Sequence, residues 1–195
     1  MNVFIILLSL ALWGVVHSIL ASHFAKDMMR GMFGRDLRRF YRLIYNAFSV
    51  VTFAPILYLL VILPDTTLYQ VPAPWSWVMF AGQGLSLLLL LVAVLQTDTL
   101  SFIGLKQLFV ADEDSGQLVT RGLYTLVRHP LYLFSLTFLW LSPGMSVNSL
   151  AFNVGVTLYF VIGAYFEERK LLRDFGEAYA EYKRKTPMLI PGLPW

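Results

Sequence analysis

Apolar runs long enough to cross a bilayer recur along this chain. Stretches of about twenty apolar residues predict helices over 3–21, 43–63, 75–95 and 147–166. A shorter run, 131–141, follows Pro130 and stops at Ser142-Pro143-Gly144. It is too short to span alone, and extending it backward through 123–127 supplies the missing length. So extended, it is the first arm of a helical hairpin that turns at Pro143-Gly144 and returns along 147–166. Over 174–185, Phe175, Ala178, Tyr179 and Tyr182 fall on one helical face. That pattern predicts an amphipathic helix lying on the membrane or covering whatever the hairpin builds. The expected fold is an all-α integral membrane protein of about five transmembrane helices, the last two forming the hairpin, plus a C-terminal amphipathic helix. No linker interrupts the pattern, so 1–195 reads as a single domain, with scaffold spans over 1–106 and a core over 107–195.

Composition agrees with this picture. Hydrophobic residues make up 57% and charged residues 14%, where soluble domains carry about 25% charged residues. Cysteine is absent, which removes disulfides, thiolate nucleophiles and Cys-ligated metals. Three histidines, His17, His23 and His129, are too few for a His-rich metal centre. The net charge of +3 comes from basic residues beside apolar spans. It suits anionic lipid headgroups better than nucleic acid, so the bilayer is the expected partner.

The placement of those basic residues predicts topology. All 15 lie in three segments: six over 26–42, three over 106–128 and six over 169–185. The connections 64–74 and 142–146 carry none. By the positive-inside rule the N-terminus is outside and the C-terminus cytoplasmic, in the inner membrane if the source is bacterial. The first span lacks a basic n-region, so it is expected to be retained rather than cleaved as a leader. Tyr41, Tyr45, Tyr69, Trp75 and Trp77 lie near span ends, where aromatic rings anchor at the headgroups.

Two clusters invite chemistry. Arg128-His129-Pro130 sits at the start of the hairpin, where proline biases the preceding residue out of the α region. Arginine can bind an anion there, and histidine can donate or accept a hydrogen bond. Equally, Arg128 can snorkel to lipid phosphate and His129 can cap a helix. Glu167-Glu168 follows the returning run, where acids oppose the helix dipole. One reading pairs them with Arg169, Lys170 or Arg173 nearby; the other gives one acid a polar ligand. Gly82-Gln83-Gly84 lies in an apolar span with no strand before it, which makes it a helix-packing patch rather than a dinucleotide loop. Ser18 and Ser22 near His17 and His23 lack an acid partner and a G-x-S-x-G context. No P-loop and no HExxH occurs.

The ordered motifs LVTRGLYTLVRHPLY, EERKLL and FGEAYAEYKRKTPMLIP resemble the isoprenylcysteine carboxyl methyltransferase and phospholipid methyltransferase superfamily over about 107–191. LWGVVHSILA and LSFIGLKQLF look like its NnrU and methanethiol S-methyltransferase branch. The resemblance implies a membrane enzyme using S-adenosyl-L-methionine. It places Gly116, Gln117, Leu118 and Val119 around the adenosine, with Gln107 contributing. It places Tyr124, His129, Pro130, Leu131 and Tyr132 along the methionine portion, and makes Glu167 the cofactor-binding acid. Arg128 and His129 are then the catalytic candidates, with Arg128 steering either the donor's carboxylate or an acceptor anion. The carboxyl methyltransferases place a substrate-holding arginine four residues before that acid. Here the position is Gly163, and a desolvated carboxylate without a cation is costly. The expected acceptor is therefore small or lipophilic, with thiol S-methylation favoured over isoprenylcysteine O-methylation or phospholipid N-methylation. A transporter and a non-catalytic membrane scaffold are the competing classes. Nothing in the residues fixes an oligomeric state.

Overall fold

Four of the apolar runs become helices long and apolar enough to cross a membrane: Asn2–Ala21, Leu43–Ile62, Trp75–Gln96 and Val147–Phe175. The computed structural model describes residues 1–99 and 118–193, leaving aside side chains at 23, 26, 30, 32–39 and 42. These form two compact units, one of Met1–Pro64 with 98–99 and the other of Asp65–Thr97 with 118–193.

In the first unit, α1 (Asn2–Ala21) packs against α2 (His23–Ile62). Ser22 separates them and caps α2, its hydroxyl accepting from the Ala25 N–H at 3.3 Å. The basic stretch, expected as a loop after the first span, is helical, and α2 runs for 40 residues. It contains no proline before Pro55, and its Met, Leu, Lys and Arg residues are good helix formers. Polar side chains tie the pair together. Trp13 Nε1 donates to the Ser49 carbonyl and to Thr52 Oγ1. The His17 ring lies 2.9 Å from Ser49 Oγ and 2.6 Å from the Tyr45 hydroxyl. Tyr41 donates to the Leu20 carbonyl at 2.6 Å. Tyr41 and Tyr45 thus tie the two helices together. His17 is held by α2 through Ser49 and Tyr45. Such bonds each contribute roughly 0.6 kcal/mol between membrane helices.

In the second unit, α3 (Trp75–Gln96) packs against α4 (Pro130–Trp140). The sequence pattern groups α3 with the scaffold, but its packing partner is the hairpin. Gly82 lies at this contact, where a Cβ would meet Leu141 Cδ1 at 2.7 Å and the leucine side chain would have to shift. Beside it, Gln83 Nε2 donates to the Phe138 carbonyl at 2.9 Å. The small-residue patch is therefore a packing surface, as its context suggests. The hairpin's second arm is α5 (Val147–Phe175). Trp140 Nε1 donates to Thr157 Oγ1 and Asn153 Nδ2 to the Leu139 carbonyl, joining the two arms.

A feature without a sequence signal braces the turn. β1 (Thr67–Gln70) pairs antiparallel with β2 (Gly144–Ser146). The two connections without basic residues thereby meet, with the Val71 N–H donating to the Pro143 carbonyl at 2.8 Å. Ser146 and Ser149 form a capping box at the start of α5. Asp65 Oδ1 accepts from the Asn148 and Thr66 N–H groups. Burial pushes the Asp65 carboxyl up, but bonds from the Ser146 side chain and those two N–H groups outweigh it and hold it below its usual 3.8. An acid here also complements the helix dipole. At the far end Gly176, at φ 54°, breaks the helix, and α6 (Glu177–Lys185) follows.

Candidate active site

The site forms at the open end of the hairpin, and the backbone there is irregular for identifiable reasons. Gly122, at φ 63°, turns the chain beside Gln96, whose Oε1 accepts from the Leu123 N–H at 2.8 Å. A 3₁₀ turn over Gly122–Thr125 follows. The backward extension of the first arm through 123–127 therefore does not form. The reason is where the next N–H groups go. Arg128 N–H donates to the Pro187 carbonyl at 2.8 Å and His129 N–H to the Met188 carbonyl at 3.1 Å. Pro130, which has no N–H to place, then opens α4 at the position where proline is tolerated. His129 is the N-cap residue by backbone position, but its side chain makes no capping bond.

Arg128 is buried and engaged by protein groups. Its Nε donates to Glu168 Oε1 at 2.6 Å. Its Nη1 donates to the carbonyls of Lys183 and Thr186. Lys183 Nζ lies 2.7 Å from Glu168 Oε2. Glu168 is therefore neutralised by two cations distant in sequence, rather than by Arg169, Lys170 or Arg173. A buried carboxylate needs such pairing. The network fastens α6 and the segment after it across the base of the hairpin. This is the covering role expected of the amphipathic segment: Tyr179 is buried and the Tyr182 hydroxyl donates to the Tyr124 carbonyl at 2.6 Å.

Glu167 has a different environment although it is the adjacent residue. A helix turns about 100° per residue, which carries this side chain out of the ion network and leaves it 45% exposed. Its Oε2 accepts from the Tyr132 hydroxyl at 2.8 Å and lies 3.6 Å from His129 Nδ1. The Tyr132 ring stacks on His129 at 5.2 Å on one side and on Phe160 at 4.6 Å on the other. His129 Nε2 is 3.5 Å from Glu168 Oε1, too long for a good bond. Among the described residues it and the Tyr179 hydroxyl are the buried side-chain polar atoms without a hydrogen-bond partner. Burial, then the charge of Glu167, pushes the Tyr124 phenol up to about 12, so it stays neutral at physiological pH.

The structure thus brings together Tyr124, Arg128, His129, Pro130, Leu131, Tyr132 and Glu167. Leu118 and Val119 are half-buried and irregular. Gln107, Gly116 and Gln117 lie outside the described residues. Gly163 is one helical turn before Glu167, and a Cβ added there meets no atom within 4 Å. Sequence reasoning misses Phe160, Lys183 and Glu168's role. Phe160 carries a faint signal, seven residues before Glu167 and so on the same helical face. Chemically, the site offers an accessible carboxylate oriented by a phenol and a boxed imidazole.

Comparison with known proteins gives this arrangement a context. The family model described as NnrU protein matches residues 5–188. The chain is 32% identical over 195 residues to Methanethiol S-methyltransferase 2 of Bradyrhizobium diazoefficiens, covering 96% of this chain and 72% of that protein. It is 38% identical over 109 residues to Methanethiol S-methyltransferase of Pseudomonas deceptionensis, covering 54% of this chain and 42% of the relative. Similarity to Protein-S-isoprenylcysteine O-methyltransferase of Schizosaccharomyces pombe is 35% over 82 residues, 40% of this chain and 42% of that one. No solved structure matches the chain.

Proposed function

The chain belongs to the NnrU protein family, and from that premise we propose that it is a multi-pass membrane methyltransferase that methylates a small apolar thiol with S-adenosyl-L-methionine. The observation that carries the choice of acceptor is the engagement of Arg128. With its guanidinium on Glu168 and two carbonyls, and with no charged side chain from Val161 to Phe166, a carboxylate acceptor would lack a cation. A neutral thiol needs none, and its desolvation costs far less. The names of the relatives over most of the chain support the same reading.

The residues present fit the donor. Glu167, half-exposed and held by Tyr132, suits its ammonium or hydroxyl groups. His129, Tyr132 and Tyr124 would line the methionine portion, with Leu118 and Val119 on the adenosine side. When bound, the donor supplies an electrophilic methyl group on positively charged sulfur. The protein's part is to orient the acceptor and exclude water. Orientation alone can supply roughly 7–11 kcal/mol of barrier reduction in favourable cases.

Incubating the purified protein with labelled donor, ethanethiol and a prenylcysteine should place label on the thiol and leave the carboxylate unlabelled. Gly163→Arg has room for its Cβ, so it should fold. It should lower thiol turnover at least about tenfold by putting a charge into an uncharged stretch of α5 one turn from Glu167. Efficient carboxyl methylation by the unmodified protein would overturn the thiol assignment.

We also propose that the N-terminus is outside. The pairing of the two connections that lack basic residues through β1 and β2 supports placing both on one side, away from the basic segments. Reporters fused after Pro74 or Gly144 should read outside, and after Trp195 inside; a cytoplasmic signal at Pro74 contradicts this orientation.

A further inference from the structure

Methylating a thiol releases a proton, and we infer that His129 takes it as the general base; this rests on the thiol reading above. The other groups around the acceptor end are unsuited. Glu168, Arg128 and Lys183 are committed to one another. Burial keeps the Tyr124 and Tyr179 phenols protonated. The imidazole remains. A neutral ring has one N–H, yet this ring lies between two carboxylates. Nε2 faces Glu168 Oε1 at 3.5 Å, and Nδ1 faces Glu167 Oε2 at 3.6 Å. With the N–H on Nε2 directed at Glu168, the Nδ1 lone pair is the basic site, on the side of Glu167 and Tyr132. A second proton at Nδ1 would give Glu167 a donor that the resting ring lacks. Catalytic hydrogen bonds are commonly long before substrates bind and tighten in the complex. The ring is already fixed, stacked on Tyr132, with its backbone N–H on the Met188 carbonyl.

The step balances. The S–H bond breaks and its proton goes to Nδ1. The sulfur pair forms the new S–CH₃ bond while the donor's C–S bond breaks, its electron pair staying on the donor sulfur. The imidazolium then returns its proton to water.

An acceptor that is already ionised needs no base, and that supplies the test. Ethanethiol enters as the thiol, whereas thiophenol is largely thiolate near neutral pH. His129→Gln should cut ethanethiol turnover about 10²-fold or more relative to thiophenol turnover. Any loss of donor affinity, read separately by titration calorimetry, applies to both thiols and cancels in their ratio. An equal loss with both thiols would overturn the inference while leaving the methyltransferase reading intact. Failure of the unmodified protein to methylate either thiol would overturn the thiol reading and this inference together. If the variant does not fold, the unmodified protein answers by itself. Across alkyl and aryl thiols its rate should vary little with acceptor acidity. A rate rising in proportion to thiolate fraction would exclude a base at His129.

Discussion

Glu168→Ala is expected to cost about 3–5 kcal/mol of stability, the range for breaking a buried ion pair by removing one partner. The variant leaves the Arg128 guanidinium buried without its carboxylate and removes the counter-charge of Lys183. Thermal unfolding in detergent should show a large fall in midpoint. The α6 segment should become susceptible to protease, because its attachment runs through the same carboxylate. Replacing both partners, Arg128→Met with Glu168→Met, should recover part of the stability, since buried ion pairs exchange for apolar groups at little net cost, while the Lys183 and Thr186 carbonyls still lose their donor. A single-variant loss below about 1 kcal/mol would show that the pair is solvated like a surface bridge.

Glu167→Ala should behave in the opposite way. Its side chain is half-exposed, and its recorded partners are one phenol and one imidazole, so the fold should survive with its midpoint little changed. Donor binding should weaken by roughly 1.5–3 kcal/mol, the value of a charge-assisted hydrogen bond, which is about tenfold to a hundredfold in Kd. Calorimetric titration with S-adenosyl-L-methionine measures it directly. Unchanged affinity would remove this acid from the donor site.

The contrast between these neighbours marks how far the sequence could be read. The spans were legible because their signal is local: twenty apolar residues look the same whatever they pack against. The broken start at Arg128-His129-Pro130 was legible in kind, because proline's constraint is also local. Its form was not, since the 123–127 segment is irregular on account of carbonyls near position 187. Which acid is buried depends on the phase of α5 against Arg128 and Lys183, and no pattern within α5 encodes that phase. The β1–β2 ladder was invisible for the same reason, being two short strands far apart in the chain. The helical basic stretch of α2 is a different case. Its residues favour helix, but charge concentration reads equally as a solvated loop.

The two fastenings of α5 turn it into a strut of fixed length. One end is pinned at Asn148 by Asp65, the other at Glu168 by Arg128 and Lys183. About twenty residues separate them, or about 30 Å of helix, close to the thickness of a bilayer's hydrocarbon layer. A helix with one free end can adapt to a thinner or thicker bilayer by sliding; this one must tilt or strain its pins. Phe160 and Glu167 sit on that strut, between its two pins.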